Sequence, residues 1–298
     1  MKFESIEELR VLVETAEHGS LTAAAKILEF TPAAASAALK KLEARLNVRL
    51  FERSTRSMRL TPEGTALLGY AQRALDLLRE GEAQVTEDKR SLRGTIRVTA
   101  PSDLTRRVLL PWLDEFLDAH EGVSLNLSVS DTLHDVVRDE VDVAIRYGEL
   151  ADSRLVARLL TPARRIACAA PAYLAAHGTP THPRELTQHE CLTFTVRNRR
   201  YSTWKFAQDG AQVEIRVDGR RTVDDADIAH TWALQGRGII YKSEVDVQDT
   251  LVSGALVRLF EDWEGESIPL NAVLPSNRFV PARVRALAEF LKGKFGLS

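Results

Sequence analysis

Cysteine is nearly absent. Two residues, Cys168 and Cys191, among 298 cannot build a disulfide framework, and neither belongs to a Cys-x-x-Cys pair of the kind that holds zinc or runs thiol redox chemistry. Long apolar runs are missing too. The longest uncharged apolar run, Ile166 to Ala176, spans eleven residues and contains Pro171, against roughly 20 for a membrane-spanning helix. No membrane partner is expected. The opening MKFESIEELR sets Glu4, Glu7 and Glu8 where a secretory signal carries its apolar core, so the expected location is the cytoplasm. Enzyme motifs are also lacking: there is no Gly-x-Ser-x-Gly, no phosphate-cradling glycine loop and no His-Glu-x-x-His. His177, His182, His189 and Cys191 cluster in sequence, but their spacings match no compact metal motif and Pro180 and Pro183 mark a loop. No catalytic residue, metal or cofactor is expected.

What is present is an ordinary folded composition, 44% hydrophobic and 28% charged with 16 glycines and 11 prolines, which excludes collagen-like and broadly disordered chains. Net charge is only -2, but its distribution is uneven. Between residues 40 and 59 stand seven basic side chains (Lys40, Lys41, Arg45, Arg49, Arg53, Arg56, Arg59) against Glu43 and Glu52. A local basic stripe on a near-neutral protein is what a phosphate-binding face needs, because attraction follows local potential.

The same region reads as short, well-punctuated helices. Ser5-Ile6-Glu7-Glu8 has capping-box spacing, Ile6, Leu9, Leu12, Val13 and Ala16 keep helical period, and Gly19 terminates. Ser20 caps a second helix to Leu28, and Thr31-Pro32 opens a third that runs to Leu46, with Asn47 as its stop. Two helices joined by so short a turn predict a helix-turn-helix. Nine of the 25 residues from Thr22 to Leu46 are alanine, which lets one face sit deep in a major groove. Val48 to Phe51 and Ser57 to Leu60 then alternate like two strands around a basic turn, the wing of a winged helix. Leu68, Ala71, Leu75 and Leu78 follow at heptad spacing, predicting a helix that pairs two chains; an amphipathic helix packed on its own domain is the alternative. After Gly94 strands alternate with helices in α/β order: strands at Ile96 to Ala100, Ser124 to Val129 and Val141 to Ile145, with helices at Val108 to Leu117 and Asp135 to Asp139. A second such set begins near Ala163, and a closing helix covers Ala282 to Lys294.

Gly19-Ser20-Leu21-Thr22-Ala23-Ala24-Ala25, Thr31-Pro32-Ala33-Ala34-Ala35-Ser36, Leu50-Phe51-Glu52-Arg53 and Leu60-Thr61-Pro62-Glu63-Gly64 together resemble the LysR-type transcriptional regulators. The resemblance continues through Gly94 to Pro101, Asp142 to Arg146, Gly236-Arg237-Gly238-Ile239 and Pro281 to Ala286. It implies an α+β multidomain chain. Residues 1–60 form a winged helix-turn-helix, 61–93 a linker helix for dimerisation, and 94–298 a two-lobed α/β effector domain like a periplasmic binding protein (lobe I 94–160 and 269–298, lobe II 161–268). The implied partners are double-stranded DNA, a small-molecule effector and further copies of the chain as dimer or tetramer, with contact to RNA polymerase left open. Ser20, Thr22, Thr31, Pro32, Ala33, Ala34, Ser36, Lys40, Arg53 and Arg56 are the expected DNA-facing residues, and Ser102, Thr132, Arg146 and Asp224 the expected effector residues. Ser102 and Thr132 stand equally well as helix caps, Arg146 as half of a structural ion pair, and Asp224 as a solvated helix start. Many members carry Gln at the place of Pro32 and larger residues at Ala35 and Ala37, so this third helix has fewer side chains able to read base edges. A small-molecule-binding protein or enzyme built on the α/β part alone leaves residues 20 to 60 unexplained.

Arg53→Ala is expected to weaken binding to all DNA sequences alike and to reduce the dependence of log K on log salt by about one unit. Fluorescence anisotropy over a salt series reads this; an unchanged slope removes the wing from the interface.

Overall fold

The computed structural model describes residues 5–53, 58–85, 92–131, 141–148, 155–196, 199–274 and 280–296. Arg56, Thr132 and the helix expected at Asp135 to Asp139 lie outside them. The chain divides into two compact units, Met1–Arg90 and Ser91–Ser298.

In the first unit, α1 (Ile6–His18), α2 (Leu21–Ile27) and α3 (Pro32–Leu46) precede a two-stranded wing, β1 (Phe51–Arg53) and β2 (Met58–Leu60), and then α4 (Pro62–Val85). The punctuation is local. Ser5, Ser20 and Thr31 each accept a hydrogen bond from a first-turn N–H (Glu7, Ala23 and Ala34), while Gly19 and Asn47 stop α1 and α3 in the left-handed conformation. The expected capping box is not formed: Glu8 does not reach back to Ser5 but is buried and paired with Arg45 of α3. One core joins Val11 and Leu12 of α1, Ala25 of α2, Ala35, Leu39 and Leu42 of α3, Phe51 of the wing, and Ala71 and Leu75 of α4. The wing is tied down by side chains as well. Glu43 accepts from the Leu50 N–H at 2.9 Å, and Thr61 donates to the Arg49 carbonyl at 2.7 Å. A Cβ at Gly64 would stand 2.1 Å from the Leu50 carbonyl oxygen, so only glycine lets α4 pass this close.

This corrects the expected dimer seam. Ala71 and Leu75 are buried in their own unit's core and Leu68 packs on it, while Leu78 is exposed. Heptad spacing could not tell these apart, because the seam of a coiled coil and the core stripe of an amphipathic helix share their first two turns. The apolar side chains that α4 does expose are Tyr70, Leu77 and Leu78.

The second unit begins with β3 (Gly94–Ala100), α5 (Ser102–Leu104), a π-helical turn (Thr105–Leu109), α6 (Leu110–Asp118), β4 (Val123–Val129), β5 (Val143–Tyr147) and β6 (Val156–Thr161). Helical structure thus starts at Ser102 rather than at the expected Val108. Pro111 has no N–H for the carbonyl one turn back, and the helix widens just before it. There follow β7 (Arg165–Ala169), α7 (Pro171–His177), β8 (Cys191–Val196), β9 (Arg199–Arg200), β10 (Thr203–Gln208), β11 (Ala211–Arg216), β12 (Thr222–Val223), α8 (Ala226–Leu234), β13 (Ile239–Ser243), α9 (Glu244–Val252), β14 (Val257–Leu259), β15 (Glu264–Gly265), β16 (Leu270–Leu274) and α10 (Ala282–Lys294).

Two mixed sheets result. The first runs β4-β3-β5-β16-β6 and the second β12-β8-β13-β7-β14, with a small antiparallel sheet, β11-β10-β15, beside the second. β16 and α10 return to the first sheet after the second is complete, so the chain crosses between lobes twice. The two crossings lie side by side: Ile268 N–H donates to the Ala163 carbonyl at 2.8 Å and Arg165 N–H to the Glu266 carbonyl at 2.9 Å. Each lobe has its own core, built around Ile96, Leu113, Phe116 and Leu287 in one and Trp204, Phe206 and Tyr241 in the other. Among the described residues no helix is long and apolar enough to cross a membrane.

Leu75→Ala is expected to lower the stability of the first unit by about 2–5 kcal/mol through the cavity it leaves. Urea unfolding of the full chain followed by helix circular dichroism measures it; an undisturbed first transition returns Leu75 to an intermolecular role.

Candidate nucleic-acid interface and effector cavity

Helix α3 buries Ala35, Leu39 and Leu42 on one side. Its other side exposes Pro32, Ala33, Ala34, Ala37, Lys40 and Lys41, with Ser36 half-buried. At its N-terminus the face is therefore backbone, methyl groups and the exposed Thr31; two ammonium groups stand beyond the second turn. Thr31 is committed as the cap, its hydroxyl accepting from Ala34 N–H at 3.1 Å. Ser20 likewise caps α2, and Thr22 is exposed in its first turn. A face this smooth has room for close approach by another surface and offers it methyl groups rather than long side chains. Arg53 closes β1, its backbone paired with Met58.

In the second unit the sheets' strand ends face each other across a cavity of about 130 Å³. Its walls come from both lobes: Pro101, Asp131, Arg146 and Tyr147 from the first, Arg165, Phe194, Ala226, Lys242 and Asp246 from the second, and Ile268 from a crossing. Of the three expected effector residues that are described, Ser102, Arg146 and Asp224, Arg146 lines it. Its guanidinium donates to the Ile145 carbonyl and the Thr99 hydroxyl, both at 2.8 Å. Burial lowers its pKa to about 10, with Asp131 acting in the opposite sense, so it keeps its charge at neutral pH.

Ser102 is buried beside the cavity, not in its wall. Its N–H donates to Asp131 at 2.8 Å, its hydroxyl donates to the other Asp131 oxygen, and that oxygen also accepts the Ala226 N–H at 2.8 Å. Asp131 thus clamps the start of α5 in one lobe to the start of α8 in the other. Asp224 is exposed and outside the cavity wall; its neighbours Asp225 and Asp227 carry the inter-lobe contacts instead, to Arg106 at 3.1 Å and to Arg107 at 2.9 Å. A sequence cannot say which of three clustered carboxylates faces across, since adjacent residues at a helix start point in different directions.

Beneath these partly exposed pairs lies a buried one. Lys242 Nζ stands 2.7 Å from Asp103 and 3.4 Å from Asp246, and His230 Nδ1 lies 3.1 Å from both Asp103 oxygens. Tyr147 donates to Asp246 at 2.6 Å. Asp103 and Tyr147 belong to one lobe, and Lys242, His230 and Asp246 to the other. Burial works against ionised Asp103, but Lys242 and His230 hold its carboxyl below the usual range. Burial pushes the Asp246 carboxyl up to about 6, against the pull of Lys242 and Tyr147. Burial also pushes Cys168 and Cys191 up to about 12, so neither thiol ionises at neutral pH. The histidines near Cys191 do not converge on one point. His189 meets the Tyr173 hydroxyl, His177 stacks on the Tyr173 ring at 4.4 Å, and His182 caps a short turn.

Asp103, Asp131, Arg165, Lys242 and Asp246 were not among the expected site residues. A signal was available for two of them: Arg165 opens, and Lys242 interrupts, strands otherwise almost wholly apolar, where a charge survives only with a partner or a task.

A winged helix with an exposed recognition face and a two-lobed ligand-binding unit on one chain define a DNA-binding regulator with an effector domain. Residues 6–65 match the model described as bacterial regulatory helix-turn-helix protein, lysR family, and residues 89–296 match the LysR substrate binding domain. The chain belongs to the LysR family of transcriptional regulators, and that family is one of regulators, not enzymes. Among its relatives, the HTH-type transcriptional regulator DmlR of Escherichia coli (strain K12) is 32% identical over 97% of this chain and 94% of DmlR. CrgA of Neisseria meningitidis serogroup C (strain 8013) is 33% identical over 97% of both chains. A solved structure of CrgA from Neisseria meningitidis covers 99% of each chain at 32% identity with a TM-score of 0.64. Full-length AphB, a Vibrio cholerae virulence activator, covers 97% of this chain and 99% of that one at 28% identity with a TM-score of 0.59.

Because the folded state raises the Asp246 pKa from 3.8 to about 6, it holds a proton that the unfolded chain has lost. That contribution is present in full below the unfolded value and disappears as pH rises through about 6. Asp246→Asn is expected to remove a decline on the order of 2 kcal/mol between about pH 4 and about pH 7. Urea titrations of parent and variant across that range read the difference; parallel pH profiles contradict it.

Proposed function

We propose that the chain regulates transcription by binding interrupted inverted repeats in promoter DNA as a dimer or dimer of dimers, with a small-molecule effector in the inter-lobe cavity changing the conformation it holds on DNA. The observation that carries the reading is the cavity itself, walled by both lobes and placed where the chain crosses between them. A ligand touching both walls binds one lobe arrangement better than another, and differential affinity of this kind is what shifts a conformational equilibrium. Two-fold pairing of subunits turns one recognition helix into two oppositely directed half-sites.

For the DNA-facing set, the exposure of Thr22, Thr31, Pro32, Ala33, Ala34 and Lys40 supports the reading; Arg53 and Arg56 enter as phosphate contacts of the wing. For the pairing helix, Tyr70, Leu77 and Leu78 are the exposed apolar side chains that favour a second chain, in place of the buried Ala71 and Leu75. A regulator of this kind works in the cytoplasm, where the promoter is, and an activating member of it contacts RNA polymerase.

Genomic fragments bound by the full-length protein, followed by footprinting, test this. The expected pattern is two protected half-sites in inverted orientation, their centres about one or more helical turns of roughly 10 base pairs apart. Protection of a single half-site, or of no defined sequence, overturns the oligomeric reading.

A further inference from the structure

Arg165 opens β7 at the cavity wall and is only 9% exposed. Yet its guanidinium donates no hydrogen bond among the described residues, and its buried Nε has no acceptor. Aromatic faces hold it instead, Tyr201 at 4.4 Å and Phe194 at 5.5 Å from the guanidinium carbon. Glu266 stands 3.6 Å from its Nε and accepts the Tyr201 hydroxyl. A guanidinium carries five donors in a planar fork, and burying it without acceptors is strongly unfavourable. Stacking on rings fixes the plane of that fork while leaving its edge open, which is how arginine is presented to a carboxylate.

The other charges on the wall are committed. Asp131 accepts from Ser102 and Ala226, Lys242 pairs with Asp103, and Asp246 accepts from Tyr147. Arg146 is fixed by Thr99 and Ile145 and adds a second cation to the wall. Between these charges the wall is mostly hydrocarbon, from Pro101, Phe194 and Ile268, with Ser130, Thr195 and Ser243 completing it. At about 130 Å³ the cavity is close to the roughly 150 Å³ that accepts benzene in an engineered core.

We propose that the cavity takes a small organic acid, one carboxylate on a hydrocarbon body about the size of benzene, with Arg165 pairing with the carboxylate and Arg146 as the second cation. This rests on the reading of the cavity as the effector site and names the chemistry that site selects. Inorganic phosphate meets the arginines but leaves the hydrocarbon wall unmatched, so the organic anion is favoured.

The test is isothermal titration of the full-length protein with butanoate, hexanoate and benzoate, with the primary amide of each, and with inorganic phosphate. At least one acid is expected to bind and its amide not to. Arg165→Gln is expected to weaken that binding about 10- to 100-fold, the range for hydrogen bonds to a charged group, and Arg165→Lys to weaken it less. Arg165→Lys carries the comparison if Arg165→Gln does not fold, and Ile268→Trp, which fills the cavity, is expected to abolish binding. Equal binding of acid and amide, lost in Ile268→Trp, overturns the acid proposal and upholds the cavity as the site. Binding that survives both Ile268→Trp and the Arg165 variants overturns both. Phosphate binding as tightly as the acids, or no acid binding at millimolar concentration, overturns the proposal.

Discussion

The effector unit depends on a buried ammonium. Lys242 sits one residue from the end of the fully buried strand β13, and a charge there is tolerable because Asp103 arrives from the opposite lobe at 2.7 Å, with Asp246 at 3.4 Å and His230 also on the Asp103 carboxylate. The lobes also meet through partly exposed pairs such as Arg106 with Asp225, which contribute little net stability. Breaking a buried pair by removing one partner typically costs 3–5 kcal/mol. The buried junction therefore sets how the lobes close, and closure in turn creates the cavity that Arg146 and Arg165 line. The clamp made by Asp131 on Ser102 and Ala226 adds direction, since it locks the first turns of helices from two lobes to a single carboxylate.

The DNA-binding unit uses the opposite strategy. Its recognition helix has few long side chains on its exposed face, and its affinity is assigned to a basic stripe running on into the wing. The alanines serve both faces: Ala35 lets α3 pack closely inside, while Ala33, Ala34 and Ala37 leave the outside smooth. A long α4 whose first turns are absorbed by this core anchors the wing through Gly64 and Thr61 and leaves Tyr70, Leu77 and Leu78 on its surface. The two units thus differ in where the charge assigned to function lies, on an exposed helix face in one, in a buried pair in the other.

Much of this was legible in the sequence. Ser5, Ser20, Thr31, Gly19 and Asn47 marked helix ends that the structure reproduces within a residue or so, because a cap is a bond between groups two or three residues apart. Strands β3, β4 and β5 were visible from their apolar patterns, and the family from motifs spread along the chain. Less legible were β6, β8 and β10, the short α7 and α9, and which side chains line the cavity. Ser102 and Asp224 show why. Each stands at a helix start next to the site, and whether such a residue clamps, pairs across the lobes or faces water depends on residues distant in sequence: Asp131 reaches Ser102, while Arg106 meets Asp225 and Asp227 and leaves Asp224 exposed.

The sequence by itself determined the punctuation of the first three helices, the two kinds of unit and the basic stripe, since these follow from propensity, periodicity and composition within a few residues of each position. Tertiary structure alone decided that Leu75 is core and Leu78 is surface, and that Asp103 serves Lys242. It also decided that Arg165 reaches the cavity wall with a buried Nε that meets no hydrogen-bond acceptor, Glu266 standing 3.6 Å away. The physical reason is that burial and charge pairing are set by groups far apart in the chain, and their free energies appear only when the lobes close and water is removed.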